Sequence, residues 1–310
     1  MGEVRVKIVL RAFGGLGNQL FQYAAGKYYA RRYVASLQIV SDPAEWAQCY
    51  GYARPFLLSN FSIAASIRKR SRADGVLIPH QLRLKPVSAR LRKALRAQQF
   101  IESAEHRFQF LRDLPLERNI KTLYLEGNFE NREIVEENAT ELRRDLAFIH
   151  PPSGKNLELM SQIERSRVPI SIHVRRGDAT FPAEGKVILG SEYYADAIRQ
   201  IKERFPDPTF FVFSDDIPFV REHLHLGSHA VFVDHNDAFS AYEDLRLMSA
   251  CRHHIVANST FSWWGAWLNH RQDKMVIAPR RWYLGHDNYY PGLFPSGWVL
   301  NDLAGVEEFA

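Results

Sequence analysis

The sequence is short of several features that would place it in a class of protein at once. It has two cysteines, Cys49 and Cys251, which excludes a disulfide framework and offers no zinc-binding spacing. None of its apolar runs approaches the ~20 residues that a membrane-spanning helix needs. Its first residues show neither the apolar segment nor the cleavage site of a secretory signal peptide. We therefore expect a cytoplasmic protein of bacterial type.

A metal site is also not indicated. His223, His225 and His229 lie close together in sequence, but no carboxylate or cysteine accompanies them at a metal-binding spacing. We therefore expect no metal ion and no other cofactor.

What is present suits a folded protein with a large core. The chain has 310 residues, of which 46% are hydrophobic and 24% charged. Strand-like apolar runs alternate with helical patterns, most regularly after residue 168, whereas residues 42–115 look irregular apart from a basic helix near 87–98. This alternation predicts parallel sheets covered by helices on both faces. The segment "HPPSG", 150–154, is the predicted linker, which gives two Rossmann-type α/β halves, 1–150 and 151–310, facing a cleft.

The net charge of +5 is unevenly distributed. Twelve Lys or Arg lie between Arg68 and Arg112, against Asp74, Glu102 and Glu105. Such a patch can attract nucleic acid, a phosphorylated substrate or an anionic membrane surface, which would make the protein peripheral at the inner face of the membrane. The alternative is a solvated helical face. No RNA-binding aromatic signature accompanies the patch, so we do not expect a nucleic-acid partner.

Three polar motifs follow strands of the C-terminal half. They are "HVRRGD" at 173–178, "FSDD" at 213–216 and "NST" at 258–260. Because ligands bind at the carboxyl ends of strands in sheets of this kind, we expect these motifs to meet at one edge.

The chemistry of these motifs suits a nucleoside diphosphate. His173 and Arg175 share one face of a strand, and the adjacent guanidinium groups of Arg175 and Arg176 are tolerable where an anion lies between them. "NST" before a helix provides hydroxyl and backbone N–H donors for phosphate. Asp215 or Asp244 can accept hydrogen bonds from a sugar or a base. Each motif also has a structural reading: an Arg–Asp pair, helix caps at "NST" and "SDD", and a core helix for "SWWGAW".

The glycine-rich stretch "FGGLGNQLF", 13–21, lies between a strand and a helix predicted from about Asn18 to Arg32. A dinucleotide fingerprint needs a third glycine, and Leu20 stands in its place. The glycines still permit close approach of a ligand to the backbone. Asn18 is predicted to cap the helix, to contact a phosphate, or both.

Together, "GGLGNQLFQYAAG", "HVRRGD", "FSDD" and "NSTFSWWGAWL" resemble the alpha-1,2-fucosyltransferases of glycosyltransferase family 11. The motifs occur in the family's order and extend from Phe13 to Leu268. The resemblance implies a GT-B-like fold, GDP-L-fucose as the donor, inversion at the anomeric carbon and no obligatory metal. The sequence contains no Asp-x-Asp, the metal–diphosphate motif of many other glycosyltransferases.

The resemblance also implies roles for individual residues. Arg175 would stabilise the departing GDP, Asp178 would act as general base or orient an arginine, and Asp244 would contact guanine. The full set of donor-binding candidates is Gly15, Leu16, Gly17, Asn18, His173, Arg175, Arg176, Asp215, Asp244, Asn258, Ser259 and Thr260.

By the same resemblance, residues 151–310 bind GDP-fucose, and residues 1–150 provide the acceptor side and the glycine loop. The acceptor would be the 2-hydroxyl of a terminal galactose on an oligosaccharide or a lipid-linked glycan. One segment departs from the family: "GNFENREIV", 127–135, stands where members often read roughly "GYFQSEKYF". The acceptor preference is therefore not carried over.

Three other functions compete with this one. An NAD-dependent oxidoreductase would need the missing third glycine. A sugar-binding module without catalysis would have no need of adjacent arginines. A glycosyltransferase that uses another nucleotide sugar, or makes another fucosyl linkage, agrees with every argument about phosphate binding and is the main alternative.

Overall fold

The computed structural model describes residues 6–42, 54–77, 85–103, 106–176, 189–227, 229–283 and 290–302. The chain divides into two compact units, residues 1–149 and 150–310. Each unit is built on one sheet in which every described strand pairing is parallel, so the predicted α/β class is confirmed.

The N-terminal unit contains a five-stranded sheet in the order β3-β2-β1-β5-β4. In the register of this sheet, Lys7 at the start of the central strand lies opposite Ser36 on one side and Thr122 on the other. Its strands are β1 (Lys7–Ala12), β2 (Ser36–Ser41), β3 (Ser66–Lys69), β4 (Ala97–Ile101) and β5 (Thr122–Glu126), and its helices are α1 (Leu16–Arg32), α2 (Arg72–Leu77), α3 (Lys85–Ala94), α4 (Arg132–Glu137) and α5 (Ala139–Asp145).

Two expectations for this unit were wrong. The stretch predicted to be irregular contains β3, α2 and β4, and the basic helix ends at Ala94, before β4 begins at Ala97. β3 is a short edge strand with charged residues, which gives little periodic signal. One face of the sheet packs against α2 through a cluster of Val9, Val40, Leu77, Ala97 and Tyr124.

The C-terminal unit contains a six-stranded sheet in the order β11-β10-β9-β6-β7-β8. Its strands are β6 (Pro169–Val174), β7 (Thr209–Ser214), β8 (Ala230–Val233), β9 (His253–Ile255), β10 (Val276–Pro279) and β11 (Val299–Asn301). Its helices are α6 (Gly154–Arg165), α7 (Ser191–Arg204), α8 (Ile217–His223), α9 (Ala241–Ala250) and α10 (Thr260–Leu268). The sequence did not predict α6, which begins directly after the two prolines of the predicted linker.

The two faces of this sheet pack against different helices, because successive side chains of a strand point in opposite directions. Ile170, Ile172 and Val174 of β6 lie in one core cluster with residues of α7 and α8. Phe211 and Phe213 of β7 lie in a second cluster with residues of α6 and α9. Since Ser171 pairs with Phe211 and His173 with Phe213, the odd-numbered residues of β6 belong to the α6/α9 face.

Helix α10 is a core helix. Trp263 and Trp264 are fully buried and Trp267 nearly so, which confirms the structural reading of "SWWGAW". Trp263 donates a hydrogen bond from Nε1 to the carbonyl of Leu293 over 2.9 Å. Gly265 faces α9 so closely that a Cβ there would lie 2.9 Å from the Cβ of Met248. The two helices therefore depend on a glycine for their close packing.

Candidate active site

The predicted convergence of motifs is present. β6 lies between β9 and β7, and all three strands run in the same direction. Their carboxyl ends therefore bring "HVRR" from residue 173, Asp215 and the Asn258–Thr260 segment to one edge of the sheet.

Arg175 is directed to the start of α10. Its Nη1 donates a hydrogen bond to the Oγ of Ser259 over 3.2 Å. Ser259 is the N-cap of α10, and its Oγ also accepts from the N–H of Phe261. A guanidinium group thus lies at a helix N-terminus, where backbone donors and the helix dipole favour an anion. Thr260 is the first residue of this helix, and Asn258 donates to the carbonyl of Trp282 over 3.2 Å.

Arg176 points the other way. It forms an ion pair with Asp216 at 3.7 Å, and its guanidinium carbon lies 3.6 Å from the ring centre of Phe219 on α8. The expectation that the two guanidinium groups flank one anion is therefore wrong for these side-chain positions. Alternation along the strand carries Arg175 towards α10 and Arg176 towards α8.

The acidic pair after β7 has positioning contacts. The backbone N–H of Arg176 donates to Asp215 Oδ1 over 2.8 Å, which ties the end of β6 to the end of β7. Asp216 caps α8 by accepting from the N–H of Phe219, as its structural reading predicted.

His173 contributes no positive charge at neutral pH. Burial, with a smaller contribution from Arg175 and against the opposing effect of Asp215, lowers the pKa of its imidazole to about 4. Its ring lies 5.8 Å from that of Phe261 on α10, and its Nδ1 is buried without a hydrogen-bond partner among the described residues. The neutral ring is therefore a hydrogen-bonding group next to the arginine.

Asp244 lies in a second polar cluster, at the carboxyl end of β8. Asn236 donates from Nδ2 to Asp244 Oδ1 over 2.6 Å and to Asn156 Oδ1 over 3.0 Å. His235 Nε2 lies 2.8 Å from the same Asn156 oxygen, so Nε2 carries the proton. Burial raises the pKa of the Asp244 carboxyl to about 7, and Glu243 adds to the effect while Asn236 opposes it.

The sequence reasoning missed Asn156, His235 and Asn236. Asn156 is in the unpredicted helix α6. His235 and Asn236 directly follow the predicted strand "AVFVD". Because ligands bind at the carboxyl ends of parallel strands, these two residues could have been predicted as site residues from that strand.

The glycine loop in the N-terminal unit differs from its prediction in one respect. α1 begins at Leu16 with Gly15 as N-cap, so Asn18 lies inside the first turn and is not the capping residue. Gly14 has a φ of +76°, which an L-residue rarely adopts. Gly15 and Asn18 are partly exposed, whereas Leu16 and Gly17 are buried in the helix.

The segment "GNFENREIV", which differs from the family pattern, is held by the carboxylate of Glu102, the residue after β4. Glu102 Oε2 accepts from the backbone N–H groups of Asn128 and Phe129 at 2.7 and 2.8 Å. Burial raises the pKa of Glu102 to about 7. Asn131 caps α4 by accepting from the N–H groups of Glu133 and Ile134. The segment is therefore a fixed loop, 127–131, at the carboxyl edge of the N-terminal sheet, followed by the first turn of α4.

One predicted site residue lies in a part of the chain that the structure does not describe. Asp178 and the rest of "GD" after Arg176 lie outside the described residues. Within the described ranges, no three His, Cys, Asp or Glu side chains form a group that could hold a metal ion. No helix in those ranges has both the length and the apolar character needed to cross a bilayer.

Comparison with known proteins identifies relatives along nearly the whole chain. The family model described as "Glycosyl transferase family 11" matches residues 6–299. The chain is 30% identical to the O-antigen biosynthesis glycosyltransferase WbnK of Escherichia coli, over 88% of this chain and 94% of the relative. It is also 30% identical to the alpha-1,2-colitosyltransferase of Escherichia coli, over 94% of this chain and 98% of the relative.

A shorter match is to the galactoside alpha-(1,2)-fucosyltransferase 1 of Ateles belzebuth, 30% identical over 37% of this chain and 32% of the relative. Among solved structures, the NodZ alpha-1,6-fucosyltransferase soaked with GDP-fucose aligns with a TM-score of 0.51 and 18% identity, over 85% of this chain and 92% of that one. At that identity the likeness concerns the fold, which is GT-B-like.

Proposed function

The chain belongs to glycosyltransferase family 11, and from that premise we propose that it transfers L-fucose from GDP-L-fucose to the 2-hydroxyl of a terminal galactose, with inversion. The observation that carries the proposal is the polar track along one sheet edge of the C-terminal unit. It begins at the Arg175–Ser259 contact and ends at the Asp244 cluster.

The spacing of this track suits a nucleoside diphosphate. The basic end lies at β6 and the Asp244 cluster at β8, two strands away, which is about 10 Å at ordinary strand spacing. The phosphates and the base of an extended nucleoside diphosphate are separated by about the same distance. Both ends lie on the α6/α9 face, so one ligand can reach both.

The base end favours guanine. Asn236 donates to Oδ1 of Asp244, which leaves Oδ2 as the carboxylate oxygen for a ligand. The buried Nδ1 of His235 has no hydrogen-bond partner within the described residues, and it is an acceptor because Nε2 carries the proton. Burial and Lys155 lower the pKa of His235, which keeps the ring neutral at pH 7. Guanine presents N1–H and an amino group as adjacent donors. Adenine presents an acceptor at N1, which would face the acceptor atoms of Asp244 and His235.

At the phosphate end the task is to stabilise charge as GDP departs. The galactose hydroxyl attacks the anomeric carbon from the side opposite GDP, its C–O bond forms as the bond to the β-phosphate oxygen breaks, and the hydroxyl proton passes to a base. Arg175 and the N–H groups at the start of α10 hold the negative charge that develops on the diphosphate. Asp178 is the proposed base, since it follows the arginines by two residues.

The remaining candidate residues complete the proposed donor site. His173 donates or accepts beside Arg175, Asp215 fixes the strand ends, and the family resemblance adds Gly15 and Asn18 of the glycine loop as donor contacts. The loop 127–131 belongs to the acceptor side. No metal or other cofactor is required, because cationic and backbone donors take the role that a metal has in other glycosyltransferases.

One experiment tests the donor class directly. The melting temperature of the protein is measured with GDP, ADP, UDP, GDP-fucose and UDP-galactose. Only the guanine nucleotides should stabilise the protein, by about 2.7 kcal/mol at 100 times their Kd. Stabilisation by UDP or ADP equal to that by GDP would contradict the assignment of the base end. Product formation from GDP-fucose and a galactoside, with the linkage read by NMR, then tests the reaction.

The alternative with specific support is transfer of colitose, since one full-length relative is an alpha-1,2-colitosyltransferase. Colitose lacks the 3-hydroxyl that fucose carries, and every contact to the guanosine diphosphate is the same for both donors. Comparing kcat/KM for GDP-fucose and GDP-colitose on one acceptor distinguishes them. A clear preference for GDP-colitose would replace fucose in the proposal and leave the donor track intact.

A further inference from the structure

Helix α3 carries an exposed apolar ridge on the N-terminal unit. Val87, Leu91 and Leu95 are spaced by four residues, so they lie on one side of the helix and its last turn. Their exposed fractions are 60%, 39% and 53%. Large apolar side chains are usually buried in the core, whereas here three exposed ones lie next to one another.

The side of α3 next to the ridge holds the helix to the unit. Ser88 is buried, and Arg92 donates from Nη1 to Ser88 Oγ and to the carbonyl of Leu77. The ridge is therefore not the packing face of the helix.

Basic side chains occupy the other faces around the ridge. Arg90, three residues after Val87, borders it, Arg96 follows Leu95 directly in the chain, and Lys93 lies on the far side of the helix. All three are exposed, and within the described part of the chain none of them has an acidic partner. These are cations of the basic segment that the proposed reaction does not use.

We propose that this surface, the α3 ridge, docks the protein on an anionic lipid bilayer. Leucine and valine on one side of a helix, with Lys and Arg on its remaining, polar faces, are the pattern of helices that lie in the membrane interface. The apolar ridge enters the acyl boundary, and the arginines and lysine meet the anionic headgroups. A nucleic-acid partner is less suited, because the ridge offers aliphatic side chains and no aromatic stacking platform.

Vesicle sedimentation tests the proposal. The full chain is mixed with sucrose-loaded vesicles of phosphatidylcholine alone, or of equal parts phosphatidylcholine and phosphatidylglycerol, without donor or acceptor. We expect sedimentation with the anionic vesicles, weakened by salt. Leu91→Gln with Leu95→Gln should weaken binding about ten-fold or more, since two apolar side chains leave the bilayer. Arg90→Gln and Lys93→Gln should each cost roughly five-fold.

The controls are matched substitutions on the exposed side of α6. Leu157 is 51% exposed and Arg165 is exposed, so Leu157→Gln and Arg165→Gln remove the same chemistry elsewhere and should not alter binding. Failure of the wild type to sediment with anionic vesicles overturns the proposal, as does equal binding by the α3 variants.

A second result would also overturn it. If the protein is a stable dimer in solution and Leu91→Gln dissociates it, another copy of the chain covers the ridge. Because no substrate is present in the vesicle assay, a negative result there leaves the proposed transferase activity untouched. A failed transferase assay would equally leave the vesicle result standing.

Discussion

Arg175 and Ser259 are 84 positions apart in sequence, and a 3.2 Å hydrogen bond from the guanidinium Nη1 to the serine Oγ joins them. The contact connects the end of a central strand to the cap of the helix that follows β9. It holds a permanent positive charge at the helix N-terminus. Charge and backbone donors are thereby positioned before any ligand arrives, which is the arrangement that stabilises a departing phosphate.

The first prediction separates the two arginines. Arg175→Lys keeps the charge and loses the planar fork, so kcat for transfer from GDP-fucose should fall at least ~10²-fold, the effect of one lost oxyanion donor. Arg176→Lys is the matched control. Arg176 is engaged with Asp216 and Phe219, so the same change there should lower stability by about 0.5–1 kcal/mol and reduce kcat much less.

Steady-state kinetics and thermal melts of both variants check this. Near-normal turnover by the Arg175→Lys variant would remove Arg175 from the reaction. Equal kinetic losses in the two variants would show that the anion lies between the arginines after all.

The second prediction concerns the glycine loop. Gly15 has ordinary extended dihedral angles, and a Cβ there meets no atom within 4 Å, so the fold does not require glycine at this position. If the donor approaches the loop, Gly15→Val should raise the donor KM ten-fold or more, equivalent to about 1.4 kcal/mol. The variant should stay folded, with a loss of stability no larger than the ~1 kcal/mol of a changed N-cap.

Gly14→Ala is the contrast. Its φ of +76° and the Asn18 Nδ2 atom 3.0 Å from an added Cβ make it a conformational requirement, so stability should fall by about 1–2 kcal/mol. Unchanged donor KM in the Gly15 variant would reduce the loop to a strand-to-helix turn.

The third prediction is a pH dependence of donor binding. The pKa of Asp244 is about 7, and the ionised carboxylate is the form that would accept from guanine in the proposed site. The ionised fraction rises from about a tenth at one pH unit below the pKa to about nine tenths at one unit above it, so the donor KM should fall up to about ten-fold from pH 6 to 8. The phosphates of a nucleotide sugar are fully ionised throughout this range.

Asp244→Asn should give a raised KM that no longer changes with pH. Asp234→Asn, which removes a nearby carboxylate paired with Lys155 at 3.3 Å, should retain the wild-type profile. A flat wild-type profile would count against guanine recognition by Asp244.

A fourth prediction is that turnover survives excess chelator, because Arg175 and the α10 N-terminus supply the positive potential. The measurement is the initial rate before and after EDTA treatment. Loss of activity that Mn²⁺ or Mg²⁺ restores would show that the diphosphate needs a metal.

Much of the C-terminal unit could be predicted from its sequence. Buried parallel strands such as "ISIHV" and "FFVFS" are continuous apolar runs bounded by polar residues, and the helices between them are long enough to show their period. Helix 191–204 was predicted with the bounds it has. The carboxyl-end rule then brought Arg175, Asp215 and Ser259 together correctly.

The rest could not be predicted, for local reasons. α6 lies between a proline pair and a strand and buries only Leu159 and Ile163, too few apolar residues to separate a helix from a linker. The start of α1 was placed at Asn18 because asparagine is a strong capping residue, whereas the chain uses Gly15 without a side-chain cap. The divergence of Arg175 and Arg176 follows from strand alternation, but Phe219 and Asp216, which hold Arg176 away from Arg175, are contacts that sequence spacing does not contain.

The glycine between α9 and α10 sets the distance between these two helices. α9 carries Asp244 in its first turns, α10 is capped beside Arg175, and Gly265 sets how closely these helices lie, since an added Cβ would meet Met248 at 2.9 Å. In the proposed donor site, the distance between the two helix ends that would contact the nucleotide is thus fixed from within the core. Gly265→Ala would increase that distance and leave every side chain of the proposed site chemically unchanged.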